Sequence, residues 1–135
     1  MELTTTENSK TVVTLHVKGK LDGSNYQELL DEAQKLYTAG WRNLVMDLSE
    51  LAFISSAGIS ALHRVALLFR GEKLADAEEG WAAYRAIDRE RGSGVQKHVK
   101  LCKPTDKVLQ SLEMVGFAAF FEIHTDLGQA VASFG

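Results

Sequence analysis

The feature that most constrains the fold is an alternation along the chain between short, apolar, β-branched runs and longer stretches whose apolar residues recur every three or four positions. The short runs are typical of β-strands, and the longer stretches are typical of amphipathic helices. Strands that alternate with helices are joined by crossover connections, which place the strands side by side in parallel with the helices against the sheet. The sequence therefore predicts an α/β fold.

Five runs have strand character. Glu2–Thr6 and Thr11–Val17 are separated by polar residues suited to a hairpin turn, so we expect them to pair antiparallel. Asn43–Leu48, Val99–Cys102 and Phe117–Ile123 are short and apolar, as strands buried on both faces of a parallel sheet are. The expected sheet is mixed, mostly parallel and four- to five-stranded, with helices packed against it.

Four helices are expected between and after these strands. Ser24 and Gln27 have the spacing of a capping box, and Gly40 is placed to end the helix that they begin. A second helix is expected to open near Ser56 and to end at Gly71. The two remaining helix starts are expected at Pro104–Asp106, with Gly116 as the stop signal, and at Thr125–Asp126.

Residues 71–97 interrupt this alternation. An amphipathic stripe that includes Leu74, Trp81 and Tyr84 is followed by a densely charged run and by Gly92-Ser93-Gly94. We expect an extra helix here, or an extension of the helix before it, ending in a flexible turn. On this interpretation residues 1–135 form a single domain with an insertion at 71–97, and self-association through the aromatic side chains stays open.

Composition and charge exclude several classes of function. The 135 residues carry a net charge of -3, with Lys and Arg spread among acidic residues, which argues against a nucleic-acid-binding surface. The single cysteine, Cys102, can form no internal disulfide and excludes thiolate metal sites of the zinc-finger type. No apolar run approaches about eighteen residues, and residues 1–10 lack the pattern of a secretion signal. We therefore expect a cytoplasmic chain with no direct membrane insertion.

The pattern also lacks the usual signs of catalysis or cofactor binding. His16, His63, His98 and His124 do not have metal-ligand spacing, and no phosphate-binding glycine loop occurs. Asp47 is better explained as a strand-end residue that satisfies nearby backbone donors than as a catalytic acid. We therefore expect no cofactor, no metal site and no enzymatic activity.

The stretch Asp47–Ile59, which reads Asp-Leu-Ser-Glu-Leu-Ala-Phe-Ile-Ser-Ser-Ala-Gly-Ile, resembles the STAS domain of bacterial anti-sigma factor antagonists at its second helix. The turn Gly19–Asp22, the segment Leu101–Pro104 and the helix end at Gly116-Phe117 fit this resemblance as well. The order of predicted strands and helices also fits, over nearly the whole chain except residues 71–97. The resemblance implies a STAS-like fold.

The same resemblance implies a phosphorylation-controlled interaction. In this family an anti-sigma factor that is also a serine kinase phosphorylates a Ser or Thr just before the second helix, and a PP2C-type phosphatase removes the phosphate. The unphosphorylated antagonist binds the anti-sigma factor and thereby frees the sigma factor. Ser56, two residues before Gly58, is the implied acceptor. Family members often have Asp immediately before the acceptor, whereas this chain has Ser55, so Ser55 is the alternative acceptor.

Physical chemistry supports such a switch at this position. A hydroxyl at a helix start faces unpaired backbone N–H groups and the positive end of the helix dipole, where a phosphate is tolerated. A phosphoserine adds about -1.5 to -2 charges, which is enough to reverse a binding preference. Ala57 and Gly58 are small, so they would let a partner approach the hydroxyl closely. The expected partner-binding residues are Asp22, Gly23, Ser55, Ser56, Ala57, Gly58 and Ile59.

A different interpretation of the same residues stays open. Ser55 and Ser56 also suit ordinary helix caps, and Asp22 with Gly23 suits an ordinary solvated turn. The chain would then be a non-switching STAS docking subunit of a larger assembly, such as a lipid-transport or stressosome-like complex.

Overall fold

The computed structural model describes residues 1–70 and 96–134. The helix expected in the insertion 71–97 therefore lies outside the described residues, apart from Gln96 and Lys97. In the described part, six strands form one mixed sheet accompanied by four α-helices. The predicted α/β class with a mostly parallel sheet is confirmed.

The sheet consists of an antiparallel hairpin extended by parallel strands. Its strands are β1 (Glu2–Glu7), β2 (Val12–Leu21), β3 (Asn43–Asp47), β4 (Leu51–Ile54), β5 (Val99–Cys102) and β6 (Ile123–His124). Their order is β1-β2-β3-β5-β6, and β4 pairs with β2. Among these strands β1 and β2 pair antiparallel, as the polar turn between them predicts, and the other pairs are parallel.

The strand β2 is long enough to serve two parallel partners in succession. Its first residues, Val12–His16, pair with β3, and its last residues, Gly19–Leu21, pair with β4. Gly19, the first residue of β2 that pairs with β4, has a φ of +94°, and the register of that pairing shifts between Gly19 and Lys20. Such a positive φ is readily adopted only by glycine. The arrangement places the carboxyl ends of β2 and β4 side by side.

One strand was not expected from the sequence. The strand β4 has only four residues, and only its end residues Leu51 and Ile54 are buried. Its sequence, Leu-Ala-Phe-Ile, is a continuous apolar run of only four residues directly before the predicted second helix, and so short a run cannot be assigned to a strand by periodicity alone. It therefore reads as part of a loop until its pairing with β2 is seen.

The strand predicted at Phe117–Ile123 is wrong for most of its length. Phe117–Ala119 is a short 3-10 helix, and only Ile123 belongs to a strand, as the first residue of β6. The reason is the spacing of the aromatic residues, since Phe117, Phe120 and Phe121 recur at helical intervals and all three are buried.

The helices are α1 (Tyr26–Thr38), α2 (Ser56–Phe69), α3 (Asp106–Met114) and α4 (Leu127–Ala132). Thr105 caps α3 and Asp126 caps α4, each through a side-chain oxygen that accepts a backbone N–H of its helix, as predicted. Gly40 and Gly116 follow α1 and α3 with φ values of +109° and +80°, which agrees with their predicted role as stop signals. Gly71, the expected end of α2, lies outside the described residues.

The capping box predicted at the start of α1 is wrong. The helix begins at Tyr26, and Asn25 occupies the N-cap position without a side-chain cap hydrogen bond. Ser24 instead donates its backbone N–H and its hydroxyl to Oδ1 of Asp22, at 2.9 and 2.6 Å. The carboxylate is a strong acceptor, so it closes a turn one residue before the helix can begin.

Helices cover both faces of the sheet. The larger core lies between the sheet and α1, α2 and α3, and it includes Val13, Leu15 and Val17 from one face of β2. A smaller core beneath α4 contains Val12, Val45, Cys102 and Ala130. Since each fully buried Val or Leu side chain contributes about 1.5–3 kcal/mol, the larger core supplies most of the stabilisation. None of the helices in the described ranges has the length and apolar content needed to cross a bilayer.

Candidate functional site

The predicted site residues come from two loops that meet at one edge of the sheet. Leu21 at the end of β2 pairs in register with Ile54 at the end of β4. The backbone N–H of Ser55, the next residue, donates to the carbonyl oxygen of Leu21 at 2.9 Å. The turn that begins at Asp22 and the start of α2 are therefore neighbours, although they are more than thirty residues apart in the sequence.

Ser55 is the N-cap of α2. Its backbone is extended, with φ of -91° and ψ of 174°, and its Oγ accepts the Gly58 N–H at 3.2 Å. Its carbonyl oxygen accepts the Ile59 N–H at 2.9 Å, which starts the helical hydrogen-bond ladder. The side chain of Ser55 thus has a structural task, which is to satisfy one of the otherwise unpaired donors at the helix start.

Ser56 is the first residue of α2 and is exposed. Its hydroxyl makes no hydrogen bond to any residue in the described ranges, so nothing described there holds it in one orientation. The position lies at the positive end of a fourteen-residue helix, where backbone N–H groups favour an anionic group. Of the two adjacent serines, one closes the helix start and the other presents its hydroxyl outward.

Gly58 and Ile59 are buried, so they do not form part of the exposed surface. A Cβ atom at Gly58 would lie 2.7 Å from the carbonyl oxygen of Leu21 and 2.8 Å from Cγ1 of Ile54. The absence of a side chain at Gly58 therefore allows α2 to pack against the ends of β2 and β4. This internal role differs from the close approach of a partner that the sequence suggested.

The remaining predicted residues form the exposed part of the site. Gly23 is exposed, and a Cβ atom placed there would lie 3.9 Å from the Cβ of Ala57, so the two loops are in van der Waals reach. Asp22 is partly exposed, and hydrogen bonds from the hydroxyl and the backbone N–H of Ser24 lower the pKa of its carboxyl. An ionised carboxylate thus stands on the loop next to Ser56.

Three further residues lie near this edge and were not predicted from the sequence as part of the site. Phe53 lies on β4, three residues before Ser56, and is 36% exposed. The Nζ of Lys107 at the start of α3 is 5.6 Å from the centre of its ring, within the range of a cation–π contact. Lys20 is the register partner of Phe53 on β2. A phenylalanine in an apolar run is normally predicted as core, so its exposure here appears only once β4 is seen to be partly uncovered.

Asp47 lies elsewhere and has a structural role. Its Oδ1 accepts the Ser49 N–H at 3.0 Å, which confirms the predicted strand-end role, and its Oδ2 is 2.7 Å from Nδ1 of His16 on the adjacent β2. Burial by itself would raise the pKa of the Asp47 carboxyl, but the hydrogen bonds from Ser49 and His16 outweigh it, so the pKa is lowered. Within residues 1–70 and 96–134, no group of three or more His, Cys, Asp or Glu residues could hold a metal ion.

Solved structures with this fold include an anti-sigma factor antagonist from Mycobacterium paratuberculosis, at 17% identity and a TM-score of 0.65, over 98% of this chain and 94% of that one. Unphosphorylated SpoIIAA, an anti-sigma factor antagonist, has 13% identity and a TM-score of 0.61, over 96% and 93% of the two chains. The phosphorylated form of SpoIIAA from Bacillus has 11% identity and a TM-score of 0.56, over 97% of each chain. SLC26A9 has 16% identity and a TM-score of 0.54, over 90% of this chain but only 19% of its own.

At these identities the solved structures establish the fold alone. A comparison with curated proteins finds no match. The family comparison is more specific. The model of the family described as "Mlab, STAS domain" matches residues 4–75. This range is more than half of the sequence and includes both loops of the site. This chain therefore belongs to the STAS domain family.

Proposed function

We propose that the chain is an anti-sigma factor antagonist that works as a phosphorylation-controlled protein-interaction switch. In its unphosphorylated form it binds an anti-sigma factor that is also a serine kinase, and the sigma factor is thereby freed. The kinase phosphorylates Ser56, and a PP2C-type phosphatase restores the binding-competent form. The chain itself supplies a binding surface and an acceptor hydroxyl and catalyses no reaction.

The observation that carries this proposal is that the two adjacent serines have different environments. The Oγ of Ser55 accepts a hydrogen bond within the helix cap, whereas the hydroxyl of Ser56 is exposed and has no partner among the described residues. A kinase must reach the hydroxyl oxygen and place it in line with a phosphoryl group, which requires a free and accessible hydroxyl. Ser56 meets this requirement better than Ser55, the alternative acceptor.

The local charges explain how a phosphate would change binding. Asp22 on the adjoining loop has a lowered pKa and is therefore anionic at neutral pH. Phosphorylation of Ser56 would add about -1.5 to -2 charges next to it. A partner that covers this edge would have to desolvate both anions, and juxtaposed like charges cost several kcal/mol. The helix start tolerates the phosphate, so the modification acts on the interface and leaves the fold intact.

Phosphate mapping with the cognate kinase tests the proposal. The protein is incubated with ATP and the serine kinase identified from its gene neighbourhood, and mass spectrometry locates the phosphate. We expect a single phosphate on Ser56, which the Ser56→Ala variant lacks. The matched control is Ser55→Ala, which removes the neighbouring hydroxyl and should still be phosphorylated.

Binding measurements complete the test. By calorimetry, Ser56→Ala should bind the kinase with unchanged affinity, and Ser56→Asp should bind at least about tenfold more weakly, equivalent to roughly 1.4 kcal/mol. Equal phosphate incorporation in wild type and Ser56→Ala, or its loss only in Ser55→Ala, would reassign the acceptor. Tight binding by Ser56→Asp would remove the electrostatic basis of the switch.

A second candidate function is a non-switching docking subunit of a larger assembly. It is favoured by the match to SLC26A9, in which the region of this fold is a small part of a much longer chain. Under this function Ser56 carries no phosphate, and the chain is recovered in a stable complex. Size-exclusion chromatography of the protein purified from its own cells separates the two, because a switch exchanges partners on dephosphorylation and a fixed subunit does not.

A further inference from the structure

A cavity lies far from Ser56, at the opposite ends of the parallel strands. It has a volume of about 310 Å³ and is bounded by the amino ends of β3 and β5 and by the segment that ends α4. Ser56, by contrast, follows the carboxyl end of β4. The residues that line the cavity are Asn43, Gln96, Lys97, His98, Lys100, Glu122, Ser133 and Phe134.

One side of the cavity is formed by a buried lysine, Lys100, whose ammonium has several polar contacts. The side chain of Lys100 is 6% exposed, and its Nζ lies 3.2 Å from Oε2 of Glu122. The same ammonium donates to the carbonyl oxygen and the Oγ of Ser133, at 3.2 and 2.7 Å, and lies 4.4 Å from the centre of the Phe134 ring. These contacts hold the ammonium, the carboxylate and the aromatic ring in place, so the cavity is preorganised.

Three other groups on the lining have hydrogen-bonding capacity to spare. Gln96 is 6% exposed, yet its side-chain amide makes no hydrogen bond to any residue that the structure describes. The Oδ1 of Asn43 accepts a hydrogen bond from Nδ1 of His98 at 3.1 Å, which leaves the amide nitrogen of Asn43 without a described partner. Lys97 is exposed and has no ion-pair partner in the described ranges. These groups line the cavity with donors that no described residue uses, so they favour a molecule that supplies acceptors.

The balance of charges indicates what that molecule is. Lys97 and Lys100 supply two positive charges to the lining, and Glu122 supplies one negative charge. The unengaged groups, the amide nitrogens of Asn43 and Gln96 and the ammonium of Lys97, are mainly donors. We infer that this cavity binds a small organic anion, whose carboxylate or phosphate oxygens accept hydrogen bonds from Gln96, Asn43 and Lys97.

NMR titration of the full chain tests this site. ¹⁵N-labelled protein is titrated separately with citrate and with inorganic phosphate, and with sodium chloride at matched ionic strength. We expect saturable shifts of the amides of Gln96, Lys97, His98 and Phe134 with at least one oxyanion and none with chloride. The probe that binds more tightly tells whether carboxylate or phosphate is the preferred group.

Two variants and a control locate the binding. Gln96→Leu keeps the size of the side chain and removes its amide, and it should weaken the oxyanion affinity about tenfold. Lys97→Met, at an exposed position, should do the same without affecting the fold. Gln110→Leu, an exposed glutamine on α3, is the matched control and should bind like wild type.

The outcome is decisive in either direction. If neither oxyanion gives saturable shifts at these amides, or if chloride gives the same shifts, the inference is overturned. It is also overturned if both Gln96→Leu and Lys97→Met bind like the control. Because the cavity and Ser56 lie at opposite ends of the strands, none of these results depends on whether Ser56 is phosphorylated.

Discussion

At the scale of single residues, the start of α2 shows how one short segment combines packing with display. Gly58 brings the helix against β2, Ser55 closes its first turn, and Ser56 is left exposed between them. The three residues lie together at the start of α2, so the position of Ser56 depends on how the helix start packs against Leu21. A change in packing at Gly58 should therefore affect both stability and the presentation of the hydroxyl.

We predict that Gly58→Ala destabilises the protein. The added Cβ would meet Leu21 and Ile54 at distances below 3.0 Å, and such overpacking costs about 1–3 kcal/mol. The higher helix propensity of alanine offsets at most about 1 kcal/mol of this cost, so we expect the free energy of unfolding to decrease. Urea unfolding measures it. Gly23→Ala is the control, since its Cβ would meet its nearest neighbour at 3.9 Å. Equal stability of the two variants would show that the helix start moves away without cost.

At the scale of elements, the sheet is held together by β2, which carries three partners: β1, β3 and β4. A polar contact strengthens the β2–β3 junction, where His16 and Asp47 are register partners and their side chains are 2.7 Å apart. On its other side, Nε2 of His16 is 2.8 Å from Oγ1 of Thr6 on β1. A chain of three side chains therefore ties together three adjacent strands.

This chain of contacts predicts how stability depends on pH. The pKa of Asp47 is lowered in the folded protein from its ordinary value of 3.8, so the folded state favours the ionised carboxylate. Its contribution to stability is complete above that ordinary value and is lost as the pH falls through the lower, folded value. Asp47→Asn should therefore be less stable than wild type at pH 7, and the difference should shrink as the pH falls below about 4.

Urea unfolding at pH 7, 5 and 3 measures this difference. Glu28→Gln, an exposed substitution in the first turn of α1, is a control for the general effect of removing a carboxylate. A gap between wild type and Asp47→Asn that is the same at every pH would mean that the Asp47 side chain acts through packing alone.

At the scale of the whole molecule, we propose that residues 1–135 form one domain that does not need the sequence of residues 71–94 to fold. The helices of the described part already bury two apolar cores against the sheet. A crossover helix returns the chain towards the amino ends of parallel strands, so we expect the end of α2 to lie near the start of β5. We therefore expect that a short Gly-Ser linker in place of residues 71–94 leaves a folded protein.

Circular dichroism and urea unfolding check this expectation. The shortened chain should unfold in one cooperative transition. A second variant, in which residues 71–94 are replaced by Gly and Ser at full length, separates the effect of loop length from that of the side chains. An aggregating product or a broad, non-cooperative transition in both variants would show that these side chains belong to the core.

The layered architecture was predictable from the sequence, because helices that bury one stripe repeat their apolar residues every three or four positions and strands buried on both faces are short continuous apolar runs. Two elements are exceptions. The strand β4 is only partly buried, with Phe53 exposed, and the aromatic run that begins at Phe117 has the composition of a strand but forms a 3-10 helix. The sequence also indicated that both serines lie at the helix start, but it could not show which of them caps the helix, since that depends on the residue at which the first helical turn begins. The cavity was not predictable, because its lining comes from four distant parts of the chain.

The adjacency of β3 and β5 has a consequence for how the chain assembles. The β1–β2 hairpin closes a loop of only a few residues, whereas the β3–β5 pair joins segments more than fifty residues apart in the sequence. Loop-closure entropy grows with the logarithm of length, at about 0.6 kcal/mol per doubling, and distant contacts form slowly. We therefore expect the docking of β5 to be a late and slow step of folding, and lengthening the connection before it should slow folding further.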